Sequence, residues 1–282
     1  MFCAAVWGAT FVASKRLLSV YTPVQLMFMR FVIAYAVMWL ICPCRERTSR
    51  KEELLYFTMG LSGCTLYFWL ENTALTITST ANVSTIVALA PILTALMTHI
   101  GGRETAPLGR WVWIGFAMAL AGVVLVVFNG AFVLKLNPAG DLLALATAFI
   151  WGFYCLFQER ALERRDSLFI TRKVMFYSLI TCLPLMLAGG FEGFSLRPLL
   201  ASWIDPVCLL FLAVVGSALC YLAWCTAEAE LGAVTTSSYI YAIPFVTLVA
   251  SAIFLREPIT PMGVLGAVLI VAGVWVSSRR TT

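Results

Sequence analysis

The sequence has one histidine, His99, and three aspartates, Asp141, Asp166 and Asp205, all near the ends of apolar runs. A single histidine is a poor basis for a metal centre or for the base of a serine nucleophile. Three scattered aspartates do not make a membrane aspartyl dyad, and the lack of a P-loop excludes ATP as fuel. No cofactor is implied. Charge is scarce as well: 12% of residues, against about 25% in an ordinary soluble domain. With 61% of residues hydrophobic, a soluble fold lacks the polar surface to cover itself. The composition fits hydrocarbon as solvent and a multi-pass membrane protein. The net charge of +5 sits in short basic clusters between apolar runs. That arrangement suits an anionic leaflet and excludes nucleic acid as partner. Nine cysteines, an odd number, form no CxxC pair. Most lie inside apolar runs as small, soft packing residues, and Cys42-Pro43-Cys44 at a helix end is the one close spacing. The opening "MFCAAVWGATF" has no basic n-region and no small-residue cleavage site, so it is not a removable signal peptide. Its apolar start reads as a chain that begins a few residues late.

Ten segments are apolar and long enough to span a bilayer: 2–19, 23–43, 54–73, 79–100, 108–129, 140–158, 169–189, 206–227, 233–254 and 261–278. The expected fold is all-α, with ten transmembrane helices. If the N-terminus is cytoplasmic, the inner loops receive thirteen lysines and arginines and the outer loops five. This bias predicts both termini inside.

The segments repeat. An offset of 153 maps Gly63 to Gly216, Ser84 to Ser237, Pro91 to Pro244, Thr94 to Thr247 and Arg103-Glu104 to Arg256-Glu257. An offset of 144 maps Trp7-Gly8 to Trp151-Gly152 and Arg16 to Arg160. Two five-span units, 1–130 and 131–282, follow. Five is odd, so the units enter the membrane from opposite sides. Inverted repeats of this kind characterise many secondary transporters, with the substrate near the midplane between the repeats.

The order of these features is specific. Trp-Gly stands in the first span, an arginine in the second, "NTALTITSTANVSTIVALAPILTAL" across the third and fourth, "GRE" after the fourth and "GFAMALAGVVLV" in the fifth. "AWCTAEAELGAVTTSSYIYAIPFVTLVASAIFLREPITPMGVLGAVLIVAGVWV" repeats the pattern. The chain resembles EamA-type transporters of the drug/metabolite transporter superfamily in both halves, over almost its whole length. That resemblance implies ten helices, efflux of small metabolites, amino acids or drugs, and the bacterial inner membrane. Arg30, about two turns into the second span, is placed to pair with an acid, bind an anionic substrate group or snorkel, and the resemblance leans toward a structural ion pair. Two departures are Glu71 in "LENTAL" and the acidic stretch Glu228 to Glu230.

Pro91 cannot donate to the carbonyl of Val87, nor Pro244 to that of Ile240. In hydrocarbon an unpaired carbonyl costs several kcal/mol, so the broken turns must face protein or water. Ser84, Pro91, Thr94 and Thr98 share one helix face. Ser237, Tyr241, Pro244, Thr247 and Ser251 do the same. A kink that only shapes packing is the alternative, but the duplication favours two helices lining one pathway. In the third and eighth spans an aromatic ring and an acid share a face: Tyr67 with Glu71, and Tyr221 with Trp224 and Glu228. With Trp7, Trp151 and Tyr154 these rings suit a pocket for an apolar or aromatic solute. The amide of Asn82 is a further candidate contact. Trp111, Trp113, Trp203 and Trp275 read instead as lipid-facing or interfacial. The substrate-binding set is therefore Trp7, Tyr67, Glu71, Asn82, Ser84, Pro91, Trp151, Tyr154, Tyr221, Trp224, Ser237, Tyr241 and Pro244.

Ionisable groups within a bilayer are costly and usually functional. Glu71 is placed to carry a coupling proton, unless it sits in water at the outer interface. Arg103-Glu104 and Arg256-Glu257 read as ordinary helix-end pairs, worth ~0–1 kcal/mol, with gate latches as the alternative. Gly115 with Gly122 and Gly266 with Gly273 are seven apart. They present small faces for scaffold or subunit contact, which leaves a homodimer open. The expected function is a secondary active transporter exporting a small solute by alternating access, coupled to protons, with membrane lipid and substrate as its partners. An uncoupled facilitator or channel is the alternative.

Overall fold

The computed structural model describes residues 1–43, 46–78, 80–101, 109–128, 137–254 and 261–277, though not every side chain within the helices. The pairs Arg103-Glu104 and Arg256-Glu257 lie outside the described residues. All regular structure among the described residues is helical. Among the described residues, four helices are long and apolar enough to cross a membrane: Pro23–Ile41, Pro138–Leu162, Ser167–Gly190 and Ile204–Leu231. They match the second, sixth, seventh and eighth expected segments. The remaining segments are helical over most of their expected length, as α1 (Phe2–Leu17), 50–77, 80–100, α7 (Arg110–Phe128), 233–254 and α14 (Pro261–Ser277).

Local chemistry sets the starts. Helix α2 (Pro23–Ile41) opens on a capping box in which Gln25 N–H donates to Thr22 Oγ1 and Thr22 N–H to Gln25 Oε1, with proline at the first turn. Helix α3 (Arg50–Gly60) opens on the same device, Ser49 with Glu52. Asn137 caps α8 (Pro138–Leu162) and Asp166 caps α9 (Ser167–Leu185). Asp166 stands 144 residues after Thr22, so the offset of the Trp-Gly pair extends to the caps.

The third segment is not a uniform α-helix. Between α3 and α4 (Tyr67–Ile77) it passes through a π-helical stretch, Leu61–Leu66. The eighth does the same at Phe211–Leu219, between α10 (Ile204–Leu210) and α11 (Cys220–Leu231). Each π stretch holds one of the paired glycines, Gly63 and Gly216. The fourth segment divides into α5 (Thr80–Val87) and α6 (Ala90–Ile100), with Pro91 in the first turn of α6. The ninth divides into α12 (Ala233–Ser238), a 3-10 turn Tyr239–Ala242, and α13 (Ile243–Phe254), with Pro244 second in α13. Both prolines therefore restart a helix after a break, where a lost amide donor is tolerated.

Packing is reciprocal between the halves. Helix α1 packs on α13 and α8 on α6, α2 packs on α9, and α7 packs along α14. The Trp-Gly pairs explain the first two contacts. A Cβ on Gly8 would stand 2.6 Å from Val246 Cβ and 3.1 Å from the Ile243 carbonyl oxygen. A Cβ on Gly152 would stand 2.7 Å from Met97 Sδ. The glycine faces of α7 and α14 are spent on each other: a Cβ on Gly122 would meet the backbone of Gly266 and Ile270, and one on Gly273 that of Ala119 and Gly115. Among the described residues, four ion pairs also join the halves, Arg165–Glu46 and Lys173–Glu53 among them. Arg16 at the end of α1 donates to Asp205 on α10 at 2.6 Å, and Arg165 after α8 donates to Glu52 at 3.2 Å. Glu52 and Asp205 are themselves 153 apart, the offset of the glycines and prolines. Large apolar side chains face outward in number, among them Leu40, Trp113, Trp203, Val268 and Trp275. This is the surface that hydrocarbon requires, and three of the four tryptophans expected to face lipid are on it.

The close approaches differ in how far the neighbour can yield. Gly8→Ala meets a β-branched side chain and a backbone carbonyl and should cost about 1–3 kcal/mol of stability. Gly152→Ala meets a flexible thioether and should cost less; thermal unfolding in detergent ranks the two. Hydrogen bonds from the Ser49 backbone and side chain, with the Arg165 guanidinium, lower the Glu52 carboxyl to about 2. A lowered carboxyl contributes stability above its ordinary value of 4.5 and loses that contribution as pH falls through about 2. Unfolding scans from pH 6 down should show a loss of stability below about 4.5 that is shallower in Glu52→Gln.

Candidate functional site

The two halves meet in a box of aromatic rings. Trp7 on α1 and Trp151 on α8 stand edge to face with centroids 5.5 Å apart. Tyr67 on α4 lies 5.3 Å from Trp151, and Tyr154 lies 5.1 Å from it. From α11, Trp224 reaches both tryptophans at 5.0 and 5.6 Å, and Tyr221 reaches both at 6.1 Å. Edge-to-face pairs at such separations are favourable beyond the area they bury.

Hydrogen bonds fix the box to the π stretches. Trp7 Nε1 donates to the Gly216 carbonyl at 3.0 Å, and the Tyr221 hydroxyl donates to the Gly63 carbonyl. In a π-helical turn the i→i−4 ladder is interrupted, which frees carbonyls for such partners. The absent side chains matter as well. A Cβ on Gly63 would collide with the Tyr154 ring, and one on Gly216 would stand 2.8 Å from Thr10 Cγ2. Thr10 and Tyr154 are three residues after Trp7 and Trp151, so each first helix uses the same face against the glycine of the other half.

The box encloses a cavity of about 30 Å³ open to the centre of a water molecule. Trp7, Tyr67, Glu71, Trp151 and Tyr221 line it from the expected set. Val87 with Ala90 and Ile240 with Ile243 complete the wall. These four lie four and one residues before Pro91 and Pro244. The turns that the prolines deprive of donors therefore border the cavity, as the cost of a bare carbonyl in hydrocarbon demands. Pro91 and Pro244 are themselves buried just behind.

Glu71 is buried, not solvated at an interface. Its carboxylate is approached by the Tyr67 hydroxyl and feels the charge of Arg30. Arg30, only 2% exposed, does not snorkel. Its guanidinium lies 4.0 Å over the Phe68 ring, donates to Ser217 Oγ, and leaves Nη2 without a hydrogen-bond partner. Trp151 Nε1 is likewise buried and without a partner. The cavity thus offers aromatic faces, one carboxylate and nearby unsatisfied donors, a set suited to a small zwitterion or an amine with an apolar body.

Tyr154 and Trp224 back the box without lining the cavity. Ser237 is turned into its own helix, where its hydroxyl donates to the Val234 carbonyl at 2.9 Å, and Ser84 is buried away from the cavity. Tyr241 packs with Phe116 and Ile270 under α7 and α14, in a separate apolar cluster. Asn82 lies outside the described side chains. Sequence reasoning missed Thr10, Phe11 and Phe68 as lining residues. Thr10 was within reach, since it shares a helical face with Trp7 at a spacing of three.

Residues 1–128 and again 138–279 match the model of the EamA-like transporter family. An "uncharacterized transporter" of Archaeoglobus fulgidus is 25% identical over 98% of this chain and 94% of its own length. A "probable terminal-alkyne amino-acid exporter" of Streptantibioticus cattleyicolor is 26% identical over 98% and 90%. A "probable amino-acid metabolite efflux pump" of Escherichia coli is 24% identical over 98% and 92%. A solved crystal structure shares the fold with a TM-score of 0.75 at 21% identity, covering 98% of this chain and 94% of the other. With a family match over both halves and apolar helices facing outward, the protein is an integral membrane transporter and not an enzyme: the chain belongs to the EamA-like transporter family.

Proposed function

We propose that the protein is a secondary active exporter of a small metabolite, amino acid or drug in the bacterial inner membrane. It works by alternating access. Ten spans form two oppositely inserted five-helix repeats, 1–130 and 131–282, with both termini cytoplasmic. The observation that carries this reading is the aromatic box. Trp7 of one half is bonded to Gly216 of the other, and Tyr221 is bonded back to Gly63. A box closed from both halves onto equivalent glycines, Gly216 and Gly63, is what alternating exposure at a shared interface calls for.

Further support comes from the ion pairs. Arg16–Asp205 and Arg165–Glu52 join the halves through acids related by the repeat, Glu52 and Asp205, hence on opposite faces under inverted insertion. With both made and only about 30 Å³ free, far below the ~300 Å³ of a ligand pocket, the conformation is a closed one between inward and outward states. The substrate class follows from the chemistry of the wall. Glu71 suits an ammonium group, the Nε1–H of Trp151 and Nη2 of Arg30 suit a carboxylate, and the rings suit an apolar side chain. An aromatic or other apolar amino acid meets all three, in keeping with the amino-acid exporters among the relatives.

Proteoliposomes loaded with labelled phenylalanine or tryptophan test this. Accumulation against a gradient when a pH difference is imposed is the expected result. Equilibration without accumulation would make the protein an uncoupled facilitator. Absence of flux and counterflow for amino acids would remove the substrate assignment. Trp151→Phe keeps a ring but removes the indole N–H, and should raise KM about tenfold, the equivalent of one charge-assisted hydrogen bond of ~1.4 kcal/mol. An unchanged KM would take Trp151 out of the carboxylate contact.

A further inference from the structure

A second acid lies one turn beyond the box, on the side away from Glu71. Glu228 on α11 is 3% exposed, and its Oε2 accepts a hydrogen bond from Nε2 of Gln158 on α8 at 2.9 Å. Gln158 is fully buried. Glu228 Oε1 and Gln158 Oε1 are both buried and without hydrogen-bond partners. They are the two remaining polar atoms of one carboxyl and one amide already joined by a hydrogen bond. Two bare acceptors on partnered groups are costly in a low-dielectric interior. A single hydrogen between them removes both costs, because a carboxylic acid and a primary amide close a ring in which N–H donates to C=O and O–H donates to the amide oxygen. Turning the amide over, an assignment that the heavy atoms leave open, sets its oxygen against Glu228 Oε2 and requires the same hydrogen.

The surroundings favour a neutral acid here. The titratable groups around Glu228 are Glu159, Cys155 and Tyr154 from α8 and Cys225 from its own helix, with Asp166 at the start of α9 reaching Cys225. α12 brings none. Among them Glu159 is the acid whose charge reaches Glu228. Glu159 Oε1 accepts the backbone N–H of Ala233 at 3.2 Å, a contact that suits a carboxylate. Two adjacent buried carboxyls do not both carry charge cheaply. The backbone donor assigns the charge to Glu159 and the orphan amide oxygen assigns the proton to Glu228. Trp224, one turn before Glu228 and in the box itself, sets its indole N–H toward the Glu228 carboxyl and so links the two sites.

We propose that Glu228 is a proton-binding site, held as the neutral acid by Gln158 in this closed conformation, and that it is the group that delivers the coupling proton at the cytoplasmic end of the pathway. When the ends of α8 and α11 part, the Glu228 O–H bond breaks, its proton passes to water, and the carboxylate is hydrated in place of the amide. Delivery of a coupling proton rests on the exporter reading above, whereas the protonation of Glu228 does not.

Infrared difference spectroscopy of the reconstituted full chain at pH 7 reads the protonation directly. The wild-type protein should show a protonated-carboxyl C=O band that shifts in deuterated buffer and is missing in Glu228→Gln. Gln158→Leu, an apolar replacement of an uncharged residue, should retain the band and move it, since the carbonyl loses its amide donor. Superimposable spectra for wild type and Glu228→Gln, or a band unmoved in Gln158→Leu, would overturn the proposal. Accumulation of labelled phenylalanine driven by a pH gradient is measured on the same vesicles. A tenfold or greater loss in Glu228→Gln is expected, and accumulation within twofold of wild type would remove the delivery role. A band at Glu228 in a wild-type protein that never accumulates solute would instead keep the protonated acid and remove proton coupling from the function.

Discussion

A backbone carbonyl with no donor costs several kcal/mol in hydrocarbon, and at two matched places this chain removes a carbonyl's usual helical donor, with the N–H of Ile243 serving Ile240 instead. Pro91 and Pro244 cannot bond to Val87 and Ile240, so neither turn can be left against lipid. The chain meets the constraint by stopping the helix before each proline and turning both breaks toward one cavity. The position of the aromatic box follows. The first helix of each half lies against the proline helix of the other, and its tryptophan points at the break. The π stretches add a second set of freed carbonyls, which Trp7 and Tyr221 satisfy. The interior is polar in its backbone and aromatic in its side chains because the same atoms that would be intolerable in lipid are used to hold the rings.

The cross-half contacts are close enough to need glycine. At Gly8, Gly63, Gly152 and Gly216 a methyl group would run into a neighbour from the other half. Such contacts hold backbones at short range through van der Waals packing, the main attractive force between helices when both lie in an apolar solvent. They are also discrete. The ion pairs Arg16–Asp205 and Arg165–Glu52 join the halves beside these notches.

Much of this was legible in the sequence, for physical reasons. Trp7, Tyr67, Glu71, Trp151 and Tyr221 came together as expected because repeated aromatics beside an intramembrane acid have few other uses. The breaks at Pro91 and Pro244 were legible because proline removes a donor wherever it stands. What was not legible depends on partners distant in the chain. Nothing in the pattern of "LSGCTL" or "FLAVVGSAL" marks a π turn, and the side chains that bond its carbonyls, Tyr221 and Trp7, come from elsewhere in the chain. Ser237 and Tyr241 share a helix face with Pro244, but the 3-10 turn at Tyr239–Ala242 rotates that face, and Tyr241 goes under α7 and α14. Gln158 carried no signal: an amide at a helix end is ordinary until Glu228 is found beside it.

The interlocked first helices have a consequence for how the molecule is made. Because α1 packs on α13 of the other half, and α8 on α4 and α6 of the other half, neither half owns a finished interior. During synthesis the early helices must wait in the bilayer with their tryptophan and glycine notch unmatched until the late ones arrive. A single half, cut free, could bury those surfaces only by embracing a second copy head to tail, which is the arrangement from which a fused, duplicated chain would descend.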